Sequence, residues 1–146
     1  MRAVLHLNIP ATAYQFALKF LRFCAVGTSG LAVDMACFYV LSAPWALHLN
    51  LPLSKTLAAE LALVNNFIWN ELWTFRDLAS RNRSWKARTI RLGKFNAICV
   101  LGIGLSVLLL ELQVRAFHEN PYLANLVAIC IVSVWNFVLN LKFGWR

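Results

Sequence analysis

Two carboxylates, Asp34 and Glu60, stand inside long apolar stretches, and four asparagines, Asn66, Asn70, Asn136 and Asn140, recur as pairs spaced four residues apart. A carboxylate in such surroundings is costly unless it faces a protein interior, where it is paired, protonated or wetted. Its chemistry is then that of a proton carrier or of a hydrogen-bonding station. Residues four apart share a helix face, so each asparagine pair offers amide donors and acceptors either to a neighbouring helix or to the hydroxyls of a ligand. Trp69 and Trp73 lie beside the first pair and suit an interfacial aromatic belt. Arg22, Arg76, Lys94 and Lys142 border the apolar stretches on the side that carries most of the basic residues. The chain has no P-loop, no G-x-G-x-x-G fingerprint and no nucleophile elbow. Cys24, Cys37, Cys99 and Cys130 lack C-x-x-C spacing, and His6, His48 and His118 are scattered. No catalytic residue, metal site or cofactor is expected, nor a nucleic-acid partner, and the chain is read as a non-enzyme.

The elements that must hold these residues follow from composition. The 146 residues suffice for one domain, yet 60% are hydrophobic and 14% charged, against roughly 45–50% and 25% in soluble domains. One soluble core cannot hide so much apolar surface, and lipid is the natural sink. The apolar blocks are continuous rather than alternating, which selects helices over barrel strands. The expectation is an all-α integral membrane protein with four transmembrane helices at about 20–41, 55–75, 95–112 and 122–141. Residues 76–94 form a basic loop, and residues 1–19 an uncleaved cytoplasmic segment. Twelve of the fourteen Lys and Arg fall on the side of the termini and that loop, leaving Lys55 and Arg115 opposite. By the positive-inside rule both termini are cytoplasmic, and the chain is a multi-pass protein of the cytoplasmic (inner) membrane.

An internal repeat organises the spans. N-F-I-W-N-E-L-W-T-F (66–75) returns as N-F-V-L-N-L-K-F-G-W (136–145), and Arg22-Phe23-Cys24-Ala25-Val26 is echoed by Lys94-Phe95-Asn96-Ala97-Ile98. Each half is a helical hairpin, and two spans per half make the repeats parallel. Helix rise places the asparagines roughly 8–13 Å from the cytoplasmic interface and the two acids roughly 18–22 Å, so contact between Asp34 and Glu60 is expected. Trp69, Trp73, Phe75, Phe143 and Trp145 suit an interfacial aromatic belt. Glu71 is expected to pair with Arg76 or another loop base. Gly27, Ser29, Gly30, Gly102, Gly104 and Ser106 suit close helix approach.

The R-F-x-x-V-G opening (22–27) and the N-F-x-x-N-x-x-W-T-F close of the second span resemble the GtrA-like proteins over about residues 19–146. The resemblance implies translocation of a polyprenyl-phosphate-linked sugar across the cytoplasmic membrane for polysaccharide or cell-envelope synthesis, beside a glycosyltransferase partner. Arg22, Arg76, Lys94 and Lys142 would then hold the lipid phosphate. Asn66, Asn70, Asn136, Asn140, Trp69, Trp73, Asp34 and Glu60 would form the sugar site or polar seam. Two other functions stay open: a non-transporting membrane subunit that anchors the glycosyltransferase, and a small proton-coupled multidrug exporter. Homo-oligomerisation is open as well.

Overall fold

A computed structural model of the protein describes residues 11–118 and 120–145. Those residues are helical, with no strand among them. Helix α1 (Ala11–Ser42) turns back into α2 (Leu51–Trp69), which passes into a π-helical turn (Asn70–Thr74). A short α3 (Arg76–Ala79) leads to α4 (Trp85–Phe117), α5 (Pro121–Leu139) and a second π turn (Asn140–Gly144). Local chemistry sets the starts. Asn50 accepts from the Leu53 N–H, Ser84 from Ala87, and Asn120 from Tyr122 and Leu123. Pro52 and Pro121 occupy first-turn positions where a missing N–H is harmless. Hydroxyls within the helices bond back to carbonyls three or four residues earlier, as Thr28 does to Cys24 and Ser29 to Val26.

Three helices among the described residues, Ala13–Ser42, Trp85–Phe117 and Pro121–Gly144, are long and apolar enough to cross a membrane. The stretch expected to span at 55–75 is helical but carries Lys55, Glu60, Asn65 and Asn66. Helices α1 and α4 are longer than the apolar blocks announced. They hold 32 and 33 residues, or about 48 and 50 Å at the usual rise, against roughly 30 Å of hydrocarbon. Apolarity marks what lipid touches, whereas the hydrogen-bonded backbone continues past it. Residues 11–19 are therefore one piece with the first span, and most of the expected 76–94 loop is the first turns of α4. The remainder of the expected N-terminal segment, residues 1–10, lies outside the described residues.

Apolar side chains point outward and small ones inward. Leu101, Ile103, Val107 and Leu108 of α4 are exposed, while Ser54, Ala58, Ala124 and Ala128 are fully buried between helices. The last four form two pairs separated by 70 residues, so the repeat extends through α2 and α5. Where lipid supplies no hydrophobic drive, such small residues let backbones approach. A Cβ on Gly30 would overlap the Asn66 amide, and one on Gly102 would lie 2.5 Å from Asn136 Oδ1. Gly27 and Gly104, by contrast, face open space. Gly30→Val is thus expected to destabilise the protein by about 1–3 kcal/mol through overpacking. Gly27→Ala should melt at or slightly above wild type, alanine being the better helix former where space is open, and thermal melting of the two variants side by side is the check.

Candidate functional site

The basic end of the molecule is built around rings. In an uninterrupted α-helix, Phe75 would stand about 80° around from Phe67, eight residues earlier. The π turn absorbs one residue, with the Phe75 N–H bonding Asn70 O at 2.8 Å, five residues back. Phe75 thereby returns to the inner face, and Trp145 does so through Asn140 O at 3.1 Å. Phe75 and Trp145 are repeat equivalents, and they stack on one another with centroids 4.5 Å apart. The contacts around them exchange in the same way. Phe67 stacks on Trp145 and Phe137 on Phe75, at 5.9 and 6.0 Å. Phe95 meets Trp145 and Phe23 meets Phe75, at 5.8 and 6.2 Å. These two rings are core, not interfacial belt, and Phe75 is fully buried. Trp69, Trp73 and Phe143 are the exposed ones.

Beside the stack lies a buried ion pair. Glu71 and Arg91 are both more than nine-tenths buried. The carboxylate takes two hydrogen bonds from Arg91, through Nε at 2.9 Å and through Nη2, and a third from Trp145 Nε1 at 2.7 Å. Arg91 Nη1 also donates to Asn82 O at 3.0 Å. Glu71 therefore joins the first π turn to α4 and to the end of the second hairpin. Of the bases expected as partners it pairs with one from the 76–94 segment, Arg91, and not with Arg76, because α4 begins early enough to bring Arg91 onto the buried stripe Arg91, Phe95, Ile98, Gly102. That i, i+4, i+7, i+11 spacing was the available signal.

The four bases expected to hold a phosphate divide between two clefts. Arg22 and Arg76 line a cleft of about 920 Å³ together with Lys19, Arg83, Trp73 and Thr74. Lys94 and Lys142 line another of about 380 Å³ beside Phe143. In the larger cleft the Arg22 guanidinium lies 5.5 Å from the Trp73 ring centre, a cation–π contact. Thr74 is 1% exposed, and its Oγ1 is buried without a hydrogen-bond partner. Lys19 donates to Asp77 Oδ2 at 2.7 Å. Partial burial works against ionising Asp77, but the Lys19 bond and charge and nearby backbone N–H groups outweigh it and hold the carboxyl below its usual range. The Asp77 charge thus persists in mild acid. In the smaller cleft Lys94 Nζ donates to Phe143 O at 3.0 Å, and Lys142 stands 5.5 Å over the Phe143 ring.

The asparagines and acids sit elsewhere. Asn70 and Asn140 are almost wholly buried at the starts of the π turns, on the wall of neither cleft. Asn140 Nδ2 donates to Asn136 O at 2.8 Å, while Asn66 and Asn136 press against Gly30 and Gly102. Asp34 is met by Lys55 at 2.5 Å, not by Glu60. Ala58 and Ala62 mark the buried face of α2, and Glu60, two residues after Ala58, lies about 200° around the helix from it. Glu60 is exposed accordingly, without a hydrogen bond or ion pair among the described residues.

The sequence profile of the GtrA/DPMS transmembrane domain matches residues 22–145. The chain belongs to the GtrA/DPMS transmembrane-domain family. A relative, the dolichol-phosphate mannosyltransferase of Pyrococcus furiosus, is 30% identical over 132 residues, which is 87% of this chain and 34% of that protein. The chain spans about a third of that relative's length. The GtrA/DPMS match opens at Arg22, in the wall of the larger cleft, and closes at Trp145, in the ring stack. It confirms the resemblance carried by the R-F and N-F-x-x-N motifs, and with the apolar helices it makes this a membrane protein. Sequence reasoning missed Lys19, Thr74 and Arg83 among the cleft residues. Lys19 is the repeat equivalent of Arg91, 72 residues apart, so both long helices carry a base one turn before the Phe23 and Phe95 positions.

Proposed function

We propose that the chain moves a polyprenyl-phosphate-linked sugar across the cytoplasmic membrane, with the phosphate received in the cleft of Lys19, Arg22, Arg76 and Arg83. The observation that carries this reading is that cleft itself. It gathers four bases, the Trp73 ring and the unpartnered hydroxyl of Thr74, matching an anion, a sugar face and a phosphoryl oxygen. The GtrA/DPMS membership and the lipid-linked sugar in the name of the Pyrococcus relative support it. In this reading α2 is the fourth span, the basic end is cytoplasmic, and the domain is residues 20–146. Lys94 and Lys142 are a second, weaker station related by the repeat. A lipid anion moving outward across 100 mV, inside negative, is favoured by about 2.3 kcal/mol per charge, so no nucleotide site is required.

A second reading, a membrane subunit that anchors a glycosyltransferase, is favoured by one observation: the matched relative is named for such an activity and extends well beyond this domain. Binding comes first in either scheme. Native mass spectrometry of purified protein should show a retained polyprenyl phosphate that Arg22→Gln and Thr74→Val weaken by about tenfold or more. Gly27→Ala serves as the control with full retention. Equal retention by all of them would remove the cleft from the account.

A further inference from the structure

We propose a second phosphoryl-binding subsite between the hairpins, formed by Arg76, Arg83 and Arg88. It rests on the headgroup reading above and extends it to a ligand that carries two phosphoryl groups. A cavity of about 300 Å³ adjoins the larger cleft, and Leu72, Arg76, Ser80 and Arg83 are common to both walls. The smaller cavity adds Arg88 and Glu71. Glu71 is the acid of this cavity, but its oxygens already hold Arg91 and Trp145. Arg88 Nε pairs with Glu71 Oε1 at 3.7 Å, an ionic contact beyond hydrogen-bond range, and is buried with no hydrogen-bond partner.

Three arginines therefore line a small cavity whose one carboxylate already holds Arg91 and Trp145. Arg76 and Arg83 are exposed, but the buried Arg88 Nε lacks a hydrogen-bond acceptor, and the arginine fork matches phosphoryl oxygens. Setting the topology does not require such placement. Arg81 and Lys86, from the same segment, carry the same charge and line neither cavity. Arg76 and Arg83, being common to both walls, can serve one phosphoryl group in each space. The second group belongs either to a lipid diphosphate whose other phosphate fills the larger cleft, or to an anionic phospholipid of the bilayer.

Native mass spectrometry of the full chain in nanodiscs separates these sources, with a polyprenyl diphosphate, the matching monophosphate and phosphatidylglycerol as probes. Arg88→Gln leaves the larger cleft untouched and leaves Arg91 on Glu71, and thermal melting verifies that it is folded. It should weaken the diphosphate at least about tenfold while sparing the monophosphate, and Arg88→Lys should restore part of the loss. Loss of phosphatidylglycerol alone would support the subsite with bilayer lipid as its occupant. Equal weakening of diphosphate and monophosphate, or no change with any probe, overturns the proposal. If wild type holds neither polyprenyl lipid, the headgroup reading fails, and the phosphatidylglycerol result still decides the subsite.

Discussion

Glu71→Ala is expected to cost about 3–5 kcal/mol of stability, because it strands a buried Arg91 without its counter-charge. The same change leaves Trp145 Nε1 without its acceptor. Desolvating a guanidinium is costly, and the pair's worth lies less in attraction than in the penalty of breaking it. Thermal melting of the purified variant should therefore fall steeply, and both hairpins should loosen at the basic end. The double variant Glu71→Met with Arg91→Met removes both charges and should recover part of the loss, since apolar side chains of similar volume often replace a buried pair without cost while the Trp145 N–H stays unpaired. A melting temperature for Glu71→Ala equal to wild type would show that the pair does not tie the hairpins together.

Trp145→Ala is the other large effect, about 3–5 kcal/mol, as for other buried aromatic truncations. Trp145 contacts Phe67, Phe75 and Phe95 and closes the Glu71 network. Trp145→Phe makes the two halves alike at this position and keeps the stack. Its cost should be only that of the lost hydrogen bond, about 1–3 kcal/mol. The ratio of the two melting shifts measures how far ring packing, rather than the indole N–H, joins the repeats. Equal shifts would assign the whole effect to the hydrogen bond.

The hairpin repeat was legible because its residues are chemically conspicuous. An N-F-x-x-N run ending in aromatics, returning after 70 residues, needs no structure to be seen. The partners of those residues were not legible, for one geometric reason. No residue type marks a π turn, yet the single residue absorbed at Asn70–Thr74 and Asn140–Gly144 carries Phe75 and Trp145 from the expected interface into the core. Helix ends were lost for a related reason, since bases that end an apolar block do not end a helix. Arg91 and Lys19 consequently took structural and cleft positions that a loop or a tail could not give them. The site of Asp34 was misjudged by depth alone. Angle around α2 decides it, and the buried alanines already show that Lys55, not Glu60, turns toward α1. His48 and His118 carried a further repeat signal: each precedes an N-cap asparagine by two residues, and both adopt positive φ, at 48° and 53°. Histidine tolerates that conformation better than most residues, so these two shape the turns within each hairpin.

In the proposed function, a lipid-linked sugar received in the Arg22–Arg76 cleft then crosses the bilayer. Purified protein in sealed liposomes, with a polyprenyl-phosphate sugar loaded on one leaflet, tests it by the rate at which the sugar reaches the other. Wild type should transfer the lipid well above protein-free vesicles, Arg22→Gln should lower the rate about tenfold or more, and Gly27→Ala should keep it. Transfer by Arg22→Gln at the wild-type rate, or none by wild type that nevertheless retains the lipid, would contradict the account; the second result would leave the chain a lipid-binding anchor.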